Sequence, residues 1–145
     1  MFKHILIPTD GSDLSRKAVL YGVQLAKETG AKVTSLTVTD PYRAPAMDAV
    51  MIPVDQGEYE EAARGLSERA MEQVKMAGEA AGVPVETVSE IHDQPFRAII
   101  DAAHALGCDL IVMASHGRRG ISALLLGSET AKVLTHSTIP VLVYR

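Results

Sequence analysis

Short apolar runs alternate along the chain with longer segments in which apolar residues recur every three or four positions. The runs at residues 4–8 and 110–114 contain almost no polar positions, which favours strands buried on both faces of a parallel sheet. The runs at 33–38 and 140–144 predict two further strands. Residues 83–90 alternate between apolar and polar and begin near a proline, so this strand is predicted at an edge of the sheet.

The longer segments have the periodicity of amphipathic helices and carry helix-ending signals. Glycine follows each of the first three, as is common just past a helix end. The predicted helices are Ser12, as N-cap, to about Thr29; Glu58 to Ala81; a segment opened by a capping Asp93-Gln94-Pro95 and ended by Gly107; and about Ser128 to His136. Their predicted apolar stripes are Leu14, Ala18, Tyr21 and Leu25; Leu66, Ala70, Val74, Ala77 and Ala81; and Phe96, Ile99, Ile100, Ala103 and Leu106.

Strands that alternate with helices indicate a single α/β domain over residues 1–145, with a parallel sheet and helices on both faces. The first and fourth strands are predicted to be central neighbours. Ligands bind such sheets at the carboxyl ends of the strands, where the winding direction switches. The loops 9–12 and 115–128 are therefore expected to face each other across one crevice. The connection 40–57 is long and contains three prolines, which is typical of a lid, an interaction loop or a mobile segment.

Composition excludes several classes of function. The net charge of −4 argues against nonspecific nucleic-acid binding, and no apolar run approaches the length of a membrane span. The N-terminus lacks the features of a signal peptide, and Cys108 is the only cysteine, so a cytoplasmic protein with a quiet, packed thiol is expected. His4, His92, His104 and His136 are scattered without the spacing of metal ligands, so no side-chain metal site is predicted.

The stretch from Asp109 to Thr130 contains the candidate chemistry. An apolar strand leads into a glycine-containing loop, and the sequence Gly127-Ser128-Glu129-Thr130 then opens a helix. Free N–H groups of a first helical turn bind anions, and glycine permits close approach and positive φ. Neither a Walker A sequence nor a nucleophile elbow is present. Ordinary turn and cap chemistry is the alternative explanation of these glycines.

These residues resemble the universal stress protein family. Its ATP-binding members carry the signature G-2x-G-9x-G-[S/T] after the fourth strand, and Gly117, nine further residues, Gly127 and Ser128 match it, whereas Ala114 stands at the first glycine. The opening ILIPTDGS and the closing IPVLVY are also similar, so the resemblance spans the chain. It implies a Rossmann-like, adenine nucleotide alpha hydrolase-like fold, with a five-stranded parallel sheet of order 3-2-1-4-5.

The resemblance implies that the chain binds ATP, or ADP or AMP, with Mg²⁺ or Mn²⁺. Asp10 is expected either to contact ribose or a phosphate-bound metal, or simply to cap the first helix. Arg118 and Arg119 either screen phosphate charge or are solvated. His116 either contacts the triphosphate or is a surface histidine, and the surface position is favoured. The implied nucleotide-binding residues are Pro8, Thr9, Asp10, Val38, Met113, Ala114, His116, Gly117, Arg118, Gly127, Ser128, Glu129 and Thr130.

Three functions remain open at this point. The first is an ATP-binding, cytoplasmic regulator of stress adaptation that acts on a protein partner. The second is an interaction module of the same fold that binds no nucleotide, and the third is a slow ATPase. No nucleophile–base pair emerges, so no catalytic residue is predicted. A homodimer is expected through the last strand, at Val141, Leu142 and Val143, because an apolar edge strand invites pairing.

Overall fold

The computed structural model describes residues 1–44, 55–118 and 126–145, where strands and helices alternate. The elements are β1 (His4–Pro8), α1 (Asp13–Thr29), β2 (Lys32–Thr39), α2 (Gln56–Ala81), β3 (Val85–Ile91), α3 (Pro95–Ala105), β4 (Leu110–Ala114), α4 (Ser128–His136) and β5 (Val141–Tyr144). The five strands form one sheet of order β3-β2-β1-β4-β5, and every neighbouring pair is parallel. The predicted fold class and strand order are therefore confirmed.

The sheet has a hydrophobic core on each face because successive strand residues point to opposite sides. Ile5 and Ile7 of β1 pack with residues of α1 and α2, whereas Leu6 packs with residues of α3 and α4. Residues of β1 and β4 are buried throughout, as their uninterrupted apolar character predicts. The parallel strands place all five carboxyl ends at one rim of the sheet and all five amino ends at the other.

The apolar stripe expected on α1 is rotated in the structure. Tyr21 is 46% exposed and its ring packs beside that of Tyr144, with the centroids 5.6 Å apart. The face against the sheet consists instead of small residues and valines: Ser15, Ala18, Val19, Gly22, Val23 and Ala26. Small side chains let the helix axis approach the strands closely, and this contact outweighs the burial of a large tyrosine ring.

Gly22 is the point of closest approach between α1 and the sheet. A Cβ atom there would lie 2.6 Å from Ile7 Cδ1 and 3.3 Å from Val112 Cγ1. We expect Gly22→Ala to lower the free energy of unfolding by about 1–3 kcal/mol, because overpacking exceeds the gain in helix propensity of about 1 kcal/mol. Gly65→Ala on α2 is the matched control, since its Cβ would contact only Arg69 Nη1 at 3.6 Å. In urea denaturation, the control variant should have an unchanged or increased free energy of unfolding. Equal decreases in the two variants would contradict this packing.

The remaining helix predictions are partly corrected. Helix α2 begins at Gln56, two residues before the predicted start, because Asp55 caps it by accepting from the N–H groups of Gly57 and Glu58 at 3.1 and 3.3 Å. Leu66 is 40% exposed rather than part of the buried stripe. Most of the predicted long connection, residues 45–54, lies outside the described residues.

The amino rim of the sheet is held by polar side chains. The Asp109 carboxylate accepts hydrogen bonds from the N–H groups of Lys3 and His4, at 2.9 and 3.1 Å respectively. The buried His4 ring contacts Thr34 Oγ1 at 2.8 Å and the Leu106 carbonyl at 3.1 Å. Burial, together with the charge of Lys32, lowers the pKa of His4, so this imidazole is held neutral. These contacts fasten the start of β1 to β2 and to the α3–β4 turn.

Candidate functional site

A cavity of about 730 Å³ opens at the carboxyl rim, where β1 and β4 lie side by side and the chain winds away in opposite directions. This volume lies within the range of small-molecule sites, roughly 300–1,000 Å³. All the residues predicted to bind nucleotide line this one cavity: Pro8, Thr9, Asp10, Val38, Met113, Ala114, His116, Gly117, Arg118, Gly127, Ser128, Glu129 and Thr130. The parallel sheet brings them together from four separate segments of the chain.

Asp10 joins the two loops that face each other across the cavity. Its Oδ1 atom accepts from Ser12 N–H at 2.9 Å and from Ser15 Oγ at 2.8 Å, while Oδ2 accepts from Arg118 N–H at 2.7 Å. Burial favours a raised pKa, but the hydrogen bonds from Ser12, Arg118 and Ser15 outweigh it and hold the pKa of Asp10 below its usual range. The carboxylate is thus ionised and structurally occupied. It does not cap α1, because Ser12 is the N-cap, as predicted, and the Ser12 hydroxyl accepts from Ser15 N–H at 3.3 Å.

Helix α4 presents its first turn to the cavity. Gly127 is its N-cap and supplies no side-chain acceptor, and the first intrahelical bond runs from Ala131 N–H to the Gly127 carbonyl at 3.0 Å. Within the described part of the chain, the N–H groups of Ser128, Glu129 and Thr130 therefore have no helical partner, as in any first turn. The Gly127 N–H itself donates to the Ser115 carbonyl at 2.6 Å. Anion binding at this end would use the amides after Gly127 rather than that of Gly127.

The two described glycines of this loop, Gly117 and Gly127, are required for space and not for unusual backbone angles, which corrects the expectation of positive φ at these positions. Gly127 has φ −71° and ψ 160°, an extended conformation that any residue adopts. A Cβ atom at Gly127 would lie 3.2 Å from both Cα and Cβ of His116. A Cβ atom at Gly117 would collide with Asp10 Oδ2. Both positions therefore keep the two loops in contact.

Ala114 ends β4 with a negative φ, as expected from its place in an apolar strand. It is 6% exposed, and its carbonyl accepts a hydrogen bond from the buried Thr130 hydroxyl at 2.9 Å. The Thr130 side chain thus ties α4 to the end of β4 and is not available to a ligand. The Ala114 methyl group contributes to the cavity wall without straining the backbone.

The side chain of Glu129 is directed to α3. Its Oε2 atom accepts from Phe96 N–H at 2.9 Å, and its Oε1 atom lies 3.2 Å from Lys132 Nζ. Helix α3 begins after Gln94, which supplies no side-chain cap, and Pro95 at the first position has no N–H. Asp93 is therefore not the N-cap that was predicted, because Glu129 provides the acceptor across the cavity rim.

The other predicted residues occupy different depths of the cavity. Met113 is buried, whereas Val38 is half-buried and packs on the core shared with α3. His116 is half-buried rather than at the surface, with Nδ1 3.2 Å from Ser115 Oγ. Arg118 is exposed, and its Nε donates to the Asp10 carbonyl at 3.0 Å. Arg119 lies outside the described residues.

Sequence reasoning missed one wall of the cavity, which α2 supplies. Its lining residues are Tyr59, Ala62, Ala63, Leu66, Ser67 and Ala70. Tyr59 donates its hydroxyl to the Asp40 carbonyl at 2.7 Å, which ties α2 to the segment after β2. Ser67 Oγ lies 2.7 Å from Thr37 Oγ1 and 3.0 Å from Ser89 Oγ. Leu66 is the one large aliphatic residue of this wall, and the sequence alone assigned it to the buried stripe of the helix. In the structure it lines the cavity instead and is 40% exposed.

The prediction for Cys108 can be compared with the structure. Cys108 is buried, and burial followed by the charge of Asp109 raises the pKa of its thiol to about 11, which agrees with a quiet packed cysteine. The dispersed histidines, carboxylates and Cys108 form no group of three or more that could hold a metal ion within residues 1–44, 55–118 and 126–145.

The fold and the position of the cavity define a doubly wound α/β protein with a ligand site at the switch point of its sheet. The model of the universal stress protein family matches residues 1–145, and the chain belongs to this family. A universal stress protein of Thermus aquaticus is 35% identical, and the match covers all of both chains. No helix in the described ranges has the length and hydropathy of a bilayer-spanning segment.

Solved structures agree with the family assignment. The universal stress protein UspA of Lactobacillus plantarum is similar with a TM-score of 0.82 and 28% identity, covering 99% of this chain and 97% of its own. A second similar structure, with a TM-score of 0.72 and 25% identity, covers 99% of this chain and 97% of its own, and it is described as a universal stress protein in complex with cAMP.

Proposed function

We propose that this chain is an ATP-binding universal stress protein, a cytoplasmic homodimer that regulates stress adaptation through a protein partner. The observation that carries the proposal is the first turn of α4, whose amides have no helical partner and lie at a cavity lined by the four positions of the signature, Ala114, Gly117, Gly127 and Ser128. The bound cAMP described for the similar structure supports an adenine nucleotide as the ligand class. ADP or AMP would fit the same contacts.

The binding energy has to come from several contacts together. A micromolar complex requires about 8 kcal/mol, whereas a helix dipole contributes only about 0.3–2 kcal/mol. Amides of the first turn and the Ser128 hydroxyl would donate charge-assisted hydrogen bonds to phosphate. Val38 and Met113 would bury the base against the apolar side of the cavity. Because Asp10 already accepts three hydrogen bonds, Mg²⁺ or Mn²⁺ would be held mainly by the phosphates.

Calorimetry with ATP and Mg²⁺ tests the proposal on the wild type and on Ala114→Gly. We expect both proteins to bind, with affinities within about fourfold, which is the value of one methyl group of roughly 0.8 kcal/mol. Mass spectrometry of the denatured, purified protein should identify any co-purified nucleotide. If neither protein binds millimolar ATP, the chain is instead an interaction module without nucleotide. If only the glycine variant binds, the Ala114 methyl blocks the site.

The dimer is proposed to form through the free edge of β5. The strand lies at the edge of the sheet, and Val141 and Leu142 pack on opposite cores, so β5 is apolar on both faces. The Tyr144 carbonyl accepts from the N–H of Ser115, which follows β4, at 2.7 Å, so the backbone groups of Tyr144 face β4. Backbone groups of successive strand residues point in opposite directions within the sheet, so the N–H of Val143 points away from β4. An outward row of unpaired groups pairs readily with a second copy.

We expect sedimentation velocity to show a dimer for the wild type and a folded monomer for Val143→Pro. Proline at Val143 removes an outward donor and leaves the bonds to β4 in place. Val141→Pro tests the other outward N–H in the same way, while Leu142→Pro is the control that removes an inward bond and should lower stability. A monomeric wild type at micromolar concentration would contradict this interface.

The chain is proposed to have no catalytic function beyond slow hydrolysis of bound ATP. Among the described residues that line the cavity, the Ser15 hydroxyl donates to the Asp10 carboxylate at 2.8 Å. A carboxylate with a lowered pKa is a weak general base, so this pair is suited to holding the loop rather than to activating a nucleophile. The rate of phosphate release should remain far below one turnover per minute. A typical enzyme has a turnover number on the order of 10 per second.

A further inference from the structure

The cavity has an excess of negative side chains for a site that would receive phosphates. Four acidic residues, Asp10, Asp40, Asp93 and Glu129, belong to its described lining, whereas Arg118 is the only arginine or lysine among the described lining residues. The Asp10 carboxylate joins the two loops through its three hydrogen bonds. Glu129 is different, because it occupies the first turn of the helix whose amides would hold the phosphates.

The Glu129 carboxylate is fixed between two helix N-termini. It belongs to α4, and it accepts a hydrogen bond from the first available N–H of α3, at Phe96. The other carboxylate oxygen of Glu129 forms an ion pair with Lys132 Nζ at 3.2 Å, and the Glu129 side chain is 36% exposed. An anion held at the N-terminus of α3 uses the positive end of that dipole, which is then not available to a ligand. Lys132 offsets part of the Glu129 charge, and the remaining charge opposes a further anion that arrives at α4.

We infer that Glu129 is a specificity-determining residue of the cavity, which ranks adenine nucleotides by their phosphate charge. The inference rests on the proposed function. In the absence of a divalent cation, a cyclic phosphate or a monophosphate is preferred to a triphosphate. A cation bound to the phosphates removes the penalty, so that ATP binds as its metal complex.

The physical basis is Coulomb repulsion at short range. Charges closer than the Debye length, about 8–10 Å at physiological salt, are screened only in part, and partial burial weakens the screening further. A cyclic phosphate brings one negative charge near Glu129, whereas a triphosphate brings several along the same loop. The free-energy cost of the carboxylate therefore increases with the number of phosphates and decreases when Mg²⁺ is bound.

The test compares the wild type with Glu129→Gln by calorimetry, using cAMP, AMP and ATP, each with EDTA and with Mg²⁺. The glutamine carbonyl still accepts from Phe96 N–H, so the cap of α3 is kept and the fold is unchanged. We expect ATP in EDTA to bind the variant about tenfold more tightly and cAMP to change by no more than about threefold. With Mg²⁺ the gain for ATP should fall below about threefold.

Glu28→Gln is the matched control. It makes the same change of net charge near the C-terminal end of α1, which lies at the amino rim and away from the cavity. It should leave all affinities unchanged. Equal effects of Glu129→Gln on cAMP and ATP, or no effect on either, would overturn the inference and reduce Glu129 to a helix cap. If no adenine nucleotide binds either protein, the proposed function fails and takes this inference with it.

Discussion

Replacement of Gly127 by valine is expected to abolish nucleotide binding while the protein remains folded. The backbone at Gly127 suits valine, so the effect comes from the side chain alone. Its Cβ would lie 3.2 Å from the His116 Cα and 3.3 Å from the Ser115 carbonyl, and its methyl groups would reach further. The first turn of α4 would have to move away from the loop. Because the amides of that turn would then miss the phosphates, we expect a loss of affinity of about 100-fold or more. This is about 2.7 kcal/mol, or one to two charge-assisted hydrogen bonds.

Gly127→Ala provides the graded control. It adds the Cβ without the branched methyl groups, so the loop has to shift by only a few tenths of an ångström. We expect an intermediate affinity for the alanine variant, with native circular dichroism for both variants. Unchanged ATP affinity in a folded Gly127→Val protein would show that the phosphates do not contact this end of α4.

Replacement of Asp10 by alanine is expected to give the largest loss of stability among the cavity residues. The change removes the acceptor for Ser12 N–H, Ser15 Oγ and Arg118 N–H together. Such hydrogen bonds to a charged group are worth about 1.5–3 kcal/mol each when their donors are left buried, but part-exposed donors recover water. We therefore expect the free energy of unfolding to fall by about 2–4 kcal/mol. Asp13→Ala, which removes an exposed carboxylate nearby, should change it by less than about 0.5 kcal/mol.

The same variant has a defined pH dependence. Burial opposes ionisation of Asp10, but its hydrogen bonds outweigh this, and the pKa of the folded state lies below that of the unfolded state. The carboxylate therefore contributes its full stability above the unfolded pKa, near 4, and loses it as the pH falls through the folded pKa. The difference in stability between the wild type and Asp10→Ala should be constant near pH 7 and should narrow below about pH 4. A difference that widens in acid would contradict this assignment.

Much of the fold could be predicted because its signals are local. The apolar runs of β1 and β4 have no polar face, so they had to be central, and glycines mark the ends of the first three helices. The two loops that face each other across the cavity could be predicted for a related reason, whereas individual lining residues such as Val38 and Met113 were implied by the family resemblance. A parallel sheet brings the ends of its strands to one rim, so the residues after β1, β2 and β4 had to meet there.

The features that sequence reasoning missed depend on tertiary contacts. The orientation of α1 is decided by the fit of Gly22 between Ile7 and Val112, which the hydrophobic pattern of the helix does not contain. The bond from Glu129 to Phe96 joins residues 33 positions apart, and either residue alone resembles an ordinary helix start. The α2 wall was missed because Tyr59 and Ser67 contact the segments around β2 through hydroxyl groups, which have no periodic signature.

The hydrogen bonds of Asp109 and His4 at the amino rim stabilise the fold at a place remote from the ligand cavity. Asp109 and His4 secure the start of β1 at the end of the sheet opposite the cavity. Their side chains hydrogen-bond to Lys3, Thr34 and Leu106, none of which lines the cavity. A lineage of such proteins could therefore adapt to hotter or more acidic surroundings by exchanging residues at this rim. Its ligand specificity depends on residues at the carboxyl rim and would therefore be unaffected by those exchanges.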